Sequence, residues 1–282
     1  MNLLLAAILL AVPLVRPAKE ARPVSIFKAL DARLVTLEAQ VAPSDDYKRG
    51  LLKISNISNK NLELQLPPGC LLATPDTSVQ DYILLEGKDF ALAKGQTRTL
   101  RLHLFCTESD KSPLLDGAVV FSEGRSKQRA DLLAFLGRNK YEPSTVQHAF
   151  WALEPQNDLS GIYGPDFVKA LALQQKLAEI TGKPLPAYMR EFRTSPMERF
   201  QREVVALHGS LGYLLKEDVV VSLQIYDAEG KAVKAIFENM PQRKGEWQFK
   251  FKLETSLLAK GHYVVKATDQ SGNILNQLAL SV

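Results

Sequence analysis

The sequence carries only two cysteines and four histidines in 282 residues, and this scarcity removes whole classes of chemistry. His103, His148, His208 and His262 stand far apart, with no His-x-x-x-His and no Cys-x-x-Cys spacing, so a zinc site has no local signature. Gly-x-Ser-x-Gly, a glycine-rich phosphate loop and Gly-x-Gly-x-x-Gly are missing, which sets aside the commoner hydrolase and nucleotide-binding readings. Asp76, Asp81 and Asp89 are too scattered for a calcium loop, and the DQSGN run at 269–273 reads as a hairpin turn. We therefore expect no catalytic residue, no metal and no cofactor. Charge of one sign is also in short supply: 35 Lys and Arg face 31 Asp and Glu, a formal +4. Acidic residues interrupt the basic stretches Lys244–Lys252 and Arg190–Arg202, so both read as solvated faces and no nucleic-acid partner is expected.

Long apolar runs are absent except at the start. Leu3 to Val15 reads LLLAAILLAVPLV without a charge, followed by Arg16, Lys19 and Glu20. That length is short for a bilayer span and right for the apolar core of a signal peptide, so residues 1–21 are expected to direct export, with no membrane span after cleavage. Outside the cytosol an even cysteine count favours one disulfide, Cys70–Cys106; two free thiols are the alternative.

What is present is β-rich. Over residues 22–115 short runs alternate with turn residues. Leu34, Thr36 and Glu38 oppose Val35, Leu37 and Ala39; Gly50–Ile57 and Leu62–Leu66 flank a polar turn; Pro67-Pro68-Gly69 stops the second run. In RTLRLHLF, Leu100, Leu102 and Leu104 share a face. These spacings predict an antiparallel β-sandwich. Residues 116–182 read as a helical segment packed on it. Ala130, Leu133 and Ala134 recur at helical offsets, a helix follows Pro143, and Pro165 opens GPDFVKALALQQKLAEITG, closed by Gly182 and Pro184. Residues 183–196 hold three prolines and read as a linker. Residues 197–282 predict a second, Ig-like sandwich. Its clearest strand sets Trp247, Phe249, Phe251 and Leu253 on one face against Gln248, Lys250 and Lys252 on the other. The fold class is thus mainly β: a sandwich with an appended helical segment, then an Ig-like sandwich.

Two resemblances add to this. The runs LQIYDAEGKAV, Gly245–Phe251 and LLAKGHYVVKATDQSGNIL resemble Ig-like modules of bacterial secreted proteins. The nearest parallels are the module of flagellar hook-capping proteins and the C-terminal sorting domain of type IX secretion. The tail QLALSV departs from the latter in lacking a basic residue just before its end. Such modules imply export and a fold, and they occur with many functions. In the N-terminal half, Phe105-Cys106 followed by Val146-Gln147-His148-Ala149-Phe150-Trp151 resembles the paired motifs of thioester-type surface adhesins. That resemblance implies acyl transfer from the Gln147 carboxamide to the Cys106 thiol with loss of ammonia.

Of the two tryptophans, Trp247 belongs to an alternating strand and is expected in the core. Trp151, beside Phe150 on a helix, is the candidate ligand platform. Taken together, the sequence is that of an exported, non-catalytic binding or structural protein of a bacterial envelope or surface, periplasmic, displayed or secreted, with a protein or glycan partner. A covalent thioester adhesin and an enzyme of unrecognised type are the alternatives.

Overall fold

The computed structural model describes residues 22–43, 49–193, 203–256 and 258–282; the expected leader, 1–21, lies outside them. The first unit contains β1 (Val24–Ser25), α1 (Ile26–Asp31), β2 (Val35–Val41), β3 (Gly50–Asn56), β4 (Leu62–Leu66), β5 (Leu71–Ala73), β6 (Tyr82–Leu84), β7 (Lys88–Leu92), β8 (Thr97–Leu102), β9 (Leu104–Cys106) and β10 (Gly117–Ser122). A three-stranded sheet, β1-β4-β7, faces a seven-stranded sheet, β8-β3-β2-β10-β5-β6-β9. Strict alternation builds the seam. Leu62, Leu64 and Leu66 are buried while Glu63 and Gln65 stay exposed, and Leu52, Ile54, Leu100 and Leu102 meet them from the larger sheet.

The far end of that sheet is covered on both faces. Every residue of β6 and β9 is buried. Tyr82, Leu84, Leu104 and Cys106 join the sandwich core, whereas Ile83 and Phe105, one residue out of step, enter a second core under the helices. Strands buried on two sides lose their polar alternation, which is why YIL and LFC read as plain apolar runs.

The helices α2 (Lys127–Leu136), α3 (Pro143–Trp151) and α4 (Phe167–Thr181) form that covering layer. The Ser126 hydroxyl accepts the Arg129 N–H, and Asp166 Oδ1 accepts the Lys169 N–H at 3.1 Å. Asp166 is thus the cap of α4, one residue after the proline expected to open it. Gly182 ends α4 at φ +74°, the left-handed position that favours glycine. Leu132, Leu136, Val146, Phe150, Leu173 and Leu177 fill the layer's core.

Two expected boundaries move. The segment read as helical from 116 begins with β10, which sits inside the large sheet and changes partner midway: Gly117–Val119 pair with β2, Val120–Ser122 with β5. The segment read as a linker, 183–196, contains β11 (Tyr188–Phe192). Pro184 and Pro186 precede the strand and none lies within it, so YMREF is free to donate to a ladder.

With β12 (Val204–Leu215), β13 (Val219–Tyr226), β14 (Ala232–Gln242), β15 (Gly245–Glu254), β16 (His262–Asp269) and β17 (Ile274–Ser281), β11 forms a second sandwich. Its sheets are β11-β12-β15 and β14-β13-β16-β17. Leu207, Leu211, Val221, Leu223, Ile225, Phe251, Leu253 and Val265 make its core. Phe251 lies over its cross-strand partner Gly209, where a Cβ would stand 2.5 Å from the ring. Trp247 is half-buried against this core, stacked on Phe249 at 5.9 Å.

Candidate functional site

The structure brings Cys106 and Gln147 together but puts each to structural use. β9 is an edge strand. Gln147, buried on α3, lays its carboxamide along that edge: Oε1 accepts the Cys106 N–H at 2.9 Å and Nε2 donates to the Cys106 carbonyl at 2.8 Å. The amide thereby acts as one further peptide unit of the sheet and leaves neither edge group unmet. The Cys106 side chain itself belongs to the sandwich core.

The expected Cys70–Cys106 disulfide is corrected: both cysteines are buried, free thiols. Cys70 precedes β5, with its carbonyl accepting the Leu84 N–H, while Cys106 on β9 pairs with Tyr82, so β6 runs between them. Two strand spacings amount to about 10 Å, beyond the ~7 Å Cα separation a disulfide can bridge. Cys70 instead donates its S–H to the Pro67 carbonyl at 3.0 Å. Burial pushes the Cys70 thiol up to about 12, and burial likewise raises Cys106.

Trp151 is 4% exposed and packs into the sandwich core, while its neighbour Phe150 enters the core under the helices. Both rings are inside because α3 straddles two cores. At that burial Trp151 supplies the floor of a cavity and no open platform. The cavity, about 380 Å³, lies where the end of α3 and the loop after it meet β11, the start of β12 and Ser281–Val282. It is the candidate site.

Its loop wall, residues 152–164, is pinned from several elements. The Lys183 ammonium donates to the carbonyls of Ala152 at 2.7 Å, Asn157 at 2.5 Å and Glu154, closing the C-terminal end of α3 with a cation where the helix dipole is negative. Burial lowers the Lys183 pKa against the opposing pull of Asp158 and Glu154. Gln174 Nε2 on α4 donates to Leu159 and Ile162, and Thr145 on α3 donates to Tyr163 at 2.7 Å. Asn157 Nδ2 donates to the Trp151 carbonyl, Ser109 and Glu154. Asp158 accepts both N–H and O–H of Ser160.

The opposite wall is β11. Its Arg190 N–H donates to the Ser160 carbonyl at 2.6 Å, and the Arg190 guanidinium meets Asp158 at 3.4 Å and the Tyr188 hydroxyl at 3.3 Å. Phe192 stacks on His148 at 4.2 Å and 18°, with Trp151 edge-on to His148 at 5.2 Å. Gly161 makes room for this stack, since a Cβ there would sit 3.3 Å from Phe192. Beyond the cavity Tyr163 stacks on His208, whose Nε2 lies 2.7 Å from Glu191. Burial pushes the Glu191 carboxyl up, but the His208 hydrogen bond and the Lys252 charge outweigh it and hold it below the ordinary range.

Sequence reasoning picked out Trp151 but missed Asn157, Asp158, Arg190 and Phe192. The first two sat in the segment read as helical and the last two in the run read as a linker, where no spacing announces a shared cavity. Among the described residues no cluster of three His, Cys, Asp or Glu suited to a metal occurs, and no helix is long and apolar enough to cross a membrane.

A model of the secretion system C-terminal sorting domain matches residues 207–281, a span that takes in β13–β17, most of β12 and the atypical tail. The sorting domain marks the protein as exported, to the cell surface or beyond. No curated protein matches the chain. Among solved structures, a red sea bream transglutaminase shares 10% identity over 91% of this chain and 32% of its own, at a TM-score of 0.22. A Kluyveromyces marxianus β-glucosidase shares 11% identity over 83% of this chain and 44% of its own, at a TM-score of 0.20. The chain thus spans less than half the length of either, and likenesses this loose decide nothing about its fold or activity.

Proposed function

We propose that this is an exported, non-catalytic binding protein. The C-terminal sandwich serves as the sorting module, and the first sandwich with its helical layer is the cargo it carries out. The partner engages the cavity between them. One observation supports this most: aromatic and hydrogen-bonding side chains from both units, Asn157 and Asp158 on one side and Arg190 and Phe192 on the other, line a single cavity of about 380 Å³. The test screens the purified chain against saccharide, peptide and ester panels for both binding and turnover. Saturable binding without turnover, weakened by Arg190→Ala, supports the reading. Turnover abolished by one point substitution overturns it. For export, a chain lacking residues 204–282 is expected to stay with the cell while the whole chain reaches the surface or medium, read by fractionation.

A second reading, the covalent adhesin, is favoured by the contact between Gln147 and the Cys106 backbone. In it the Cys106 sulfur attacks Gln147 Cδ, the C–N bond breaks, and ammonia leaves with the thiol proton. Intact mass separates the two. The first reading requires the full mass of the mature sequence, and the second a chain lighter by about 17 Da that reductant does not restore.

A further inference from the structure

We infer that the ligand of the interdomain cavity is a neutral saccharide, a conclusion that rests on the cavity being the binding site. Size is the first argument. About 380 Å³ sits near the lower end of small-molecule pockets, roughly 300–1,000 Å³, enough for one or two sugar rings and too little for a folded partner's surface element.

Charge is the second. Arg190 and Asp158 face each other at 3.4 Å, so the wall's cation and anion neutralise one another. A phosphate or polyanion would meet Asp158 beside Arg190, and an ammonium ligand would meet Arg190 beside Asp158, so the paired opposite charge weakens what repays either ligand's desolvation.

Surface chemistry is the third. One part of the cavity is aromatic, the parallel His148–Phe192 pair over Trp151. Its planar polar groups are Asn157, Asp158 and Arg190, and Val204 and Val282 add aliphatic surface. A pyranose matches that division, because its C–H faces are apolar and its hydroxyl rim both donates and accepts. The polar groups are held before any ligand arrives. Asn157 Nδ2 is committed to three acceptors, which aims the amide while Oδ1 carries no bond among the described residues; Arg190 is braced by the Tyr188 hydroxyl and lies 5.8 Å over its ring. An extended peptide fits less well. β11 pairs with β12 on one edge and gives its Arg190 N–H to Ser160 on the other, so the middle of the edge an added strand would use is already taken.

The experiment titrates the whole mature chain with neutral hexose and N-acetylhexosamine oligosaccharides, a uronate oligosaccharide and an unrelated peptide pool. Calorimetry reads the binding, and tryptophan fluorescence in a Trp247→Phe background isolates Trp151. Saturable binding of a neutral oligosaccharide with a change in Trp151 emission is expected, weakened about tenfold or more by Phe192→Ala and by Arg190→Ala, with Arg190→Lys failing to rescue. Because Phe192 packs against His148, Gln156→Phe serves as the second variant, which adds no further tryptophan to the readout. Gln156 is exposed on the cavity lining, and a bulky ring there blocks entry without touching the packed wall. Tighter binding of the uronate than of neutral sugars overturns the inference. Binding of peptide in place of saccharide also overturns it and leaves the binding-protein reading standing. No saturable binding of any probe overturns both, and saccharide binding untouched by all three variants removes it from this cavity.

Discussion

Replacing Gln147 with methionine tests whether one side-chain amide completes the large sheet. Methionine keeps the apolar stem and approximate volume, so the packing of α3 on β9 is largely retained and the two hydrogen bonds to Cys106 are lost. Each buried backbone group left without a partner costs roughly 1–3 kcal/mol. Two of them place the loss at about 2–6 kcal/mol, a large share of the ~5–15 kcal/mol that stabilises a typical domain. The unit must be observed by itself, because separate cores need not unfold together. Trp151 lies in the first unit and Trp247 in the second sandwich, so urea unfolding followed by fluorescence in a Trp247→Phe background reports the first alone. The midpoint is expected to fall with its slope unchanged. Gln147→Glu divides the effect. The introduced carboxylate accepts the N–H but faces the Cys106 carbonyl with no donor, and burial raises its pKa. Its protonated form restores the missing donor, so this variant is most stable below the ordinary carboxylate pKa and loses stability as pH rises from there through its raised folded value. A methionine variant within about 0.5 kcal/mol of the parent refutes the reasoning, since that is the ordinary effect of an inconsequential surface change.

The remaining expectations concern the thiols, one glycine and one carboxylate. Because burial raises both thiols, Cys70 to about 12, native protein at pH 8 should resist a thiol reagent, with two equivalents reacting once denaturant is added. A mass lower by about 2 Da, restored by reductant, would instead show a disulfide and refute the strand order drawn here. Gly209→Ala drives a Cβ to 2.5 Å from the Phe251 ring, and the forced displacement should cost about 1–3 kcal/mol in the second sandwich, read from Trp247. Glu191 has a lowered pKa, so its contribution is complete above its ordinary value of 4.5 and is lost as pH falls through its folded value. The thermal midpoint of the parent should therefore exceed that of Glu191→Gln at pH 7, and the gap should narrow as pH falls below 4.5; a gap independent of pH sinks the ion-pair account.

Much of the architecture was readable from local patterns. Trp247, Phe249, Phe251 and Leu253 alternate because one face of β15 meets a core, and the same period recurs in LELQL and RTLRL. The helix α4 announced itself through its apolar spacing, a proline just before its start and Gly182 after its end. Each of these signals is carried by residues within a few positions of one another. YMREF and GAVVFS were misread for the converse reason. Five or six residues with mixed burial show too short a period to outweigh the prolines near one and the helices following the other.

By itself the sequence determined where most of the longer strands and helices form, that the protein is β-rich, and that its last 75 or so residues are a sorting-type module. Only the tertiary structure decided which strands are neighbours, and three outcomes hang on that. β6 separates the two cysteines, α3 brings Gln147 to the exposed edge of β9, and the loop after α3 meets β11 to enclose a cavity. Side-chain periodicity encodes which face of an element is buried, a local property. Strand order and the meeting of distant loops depend on how those faces are shared among elements far apart in the chain, which no short window of residues records.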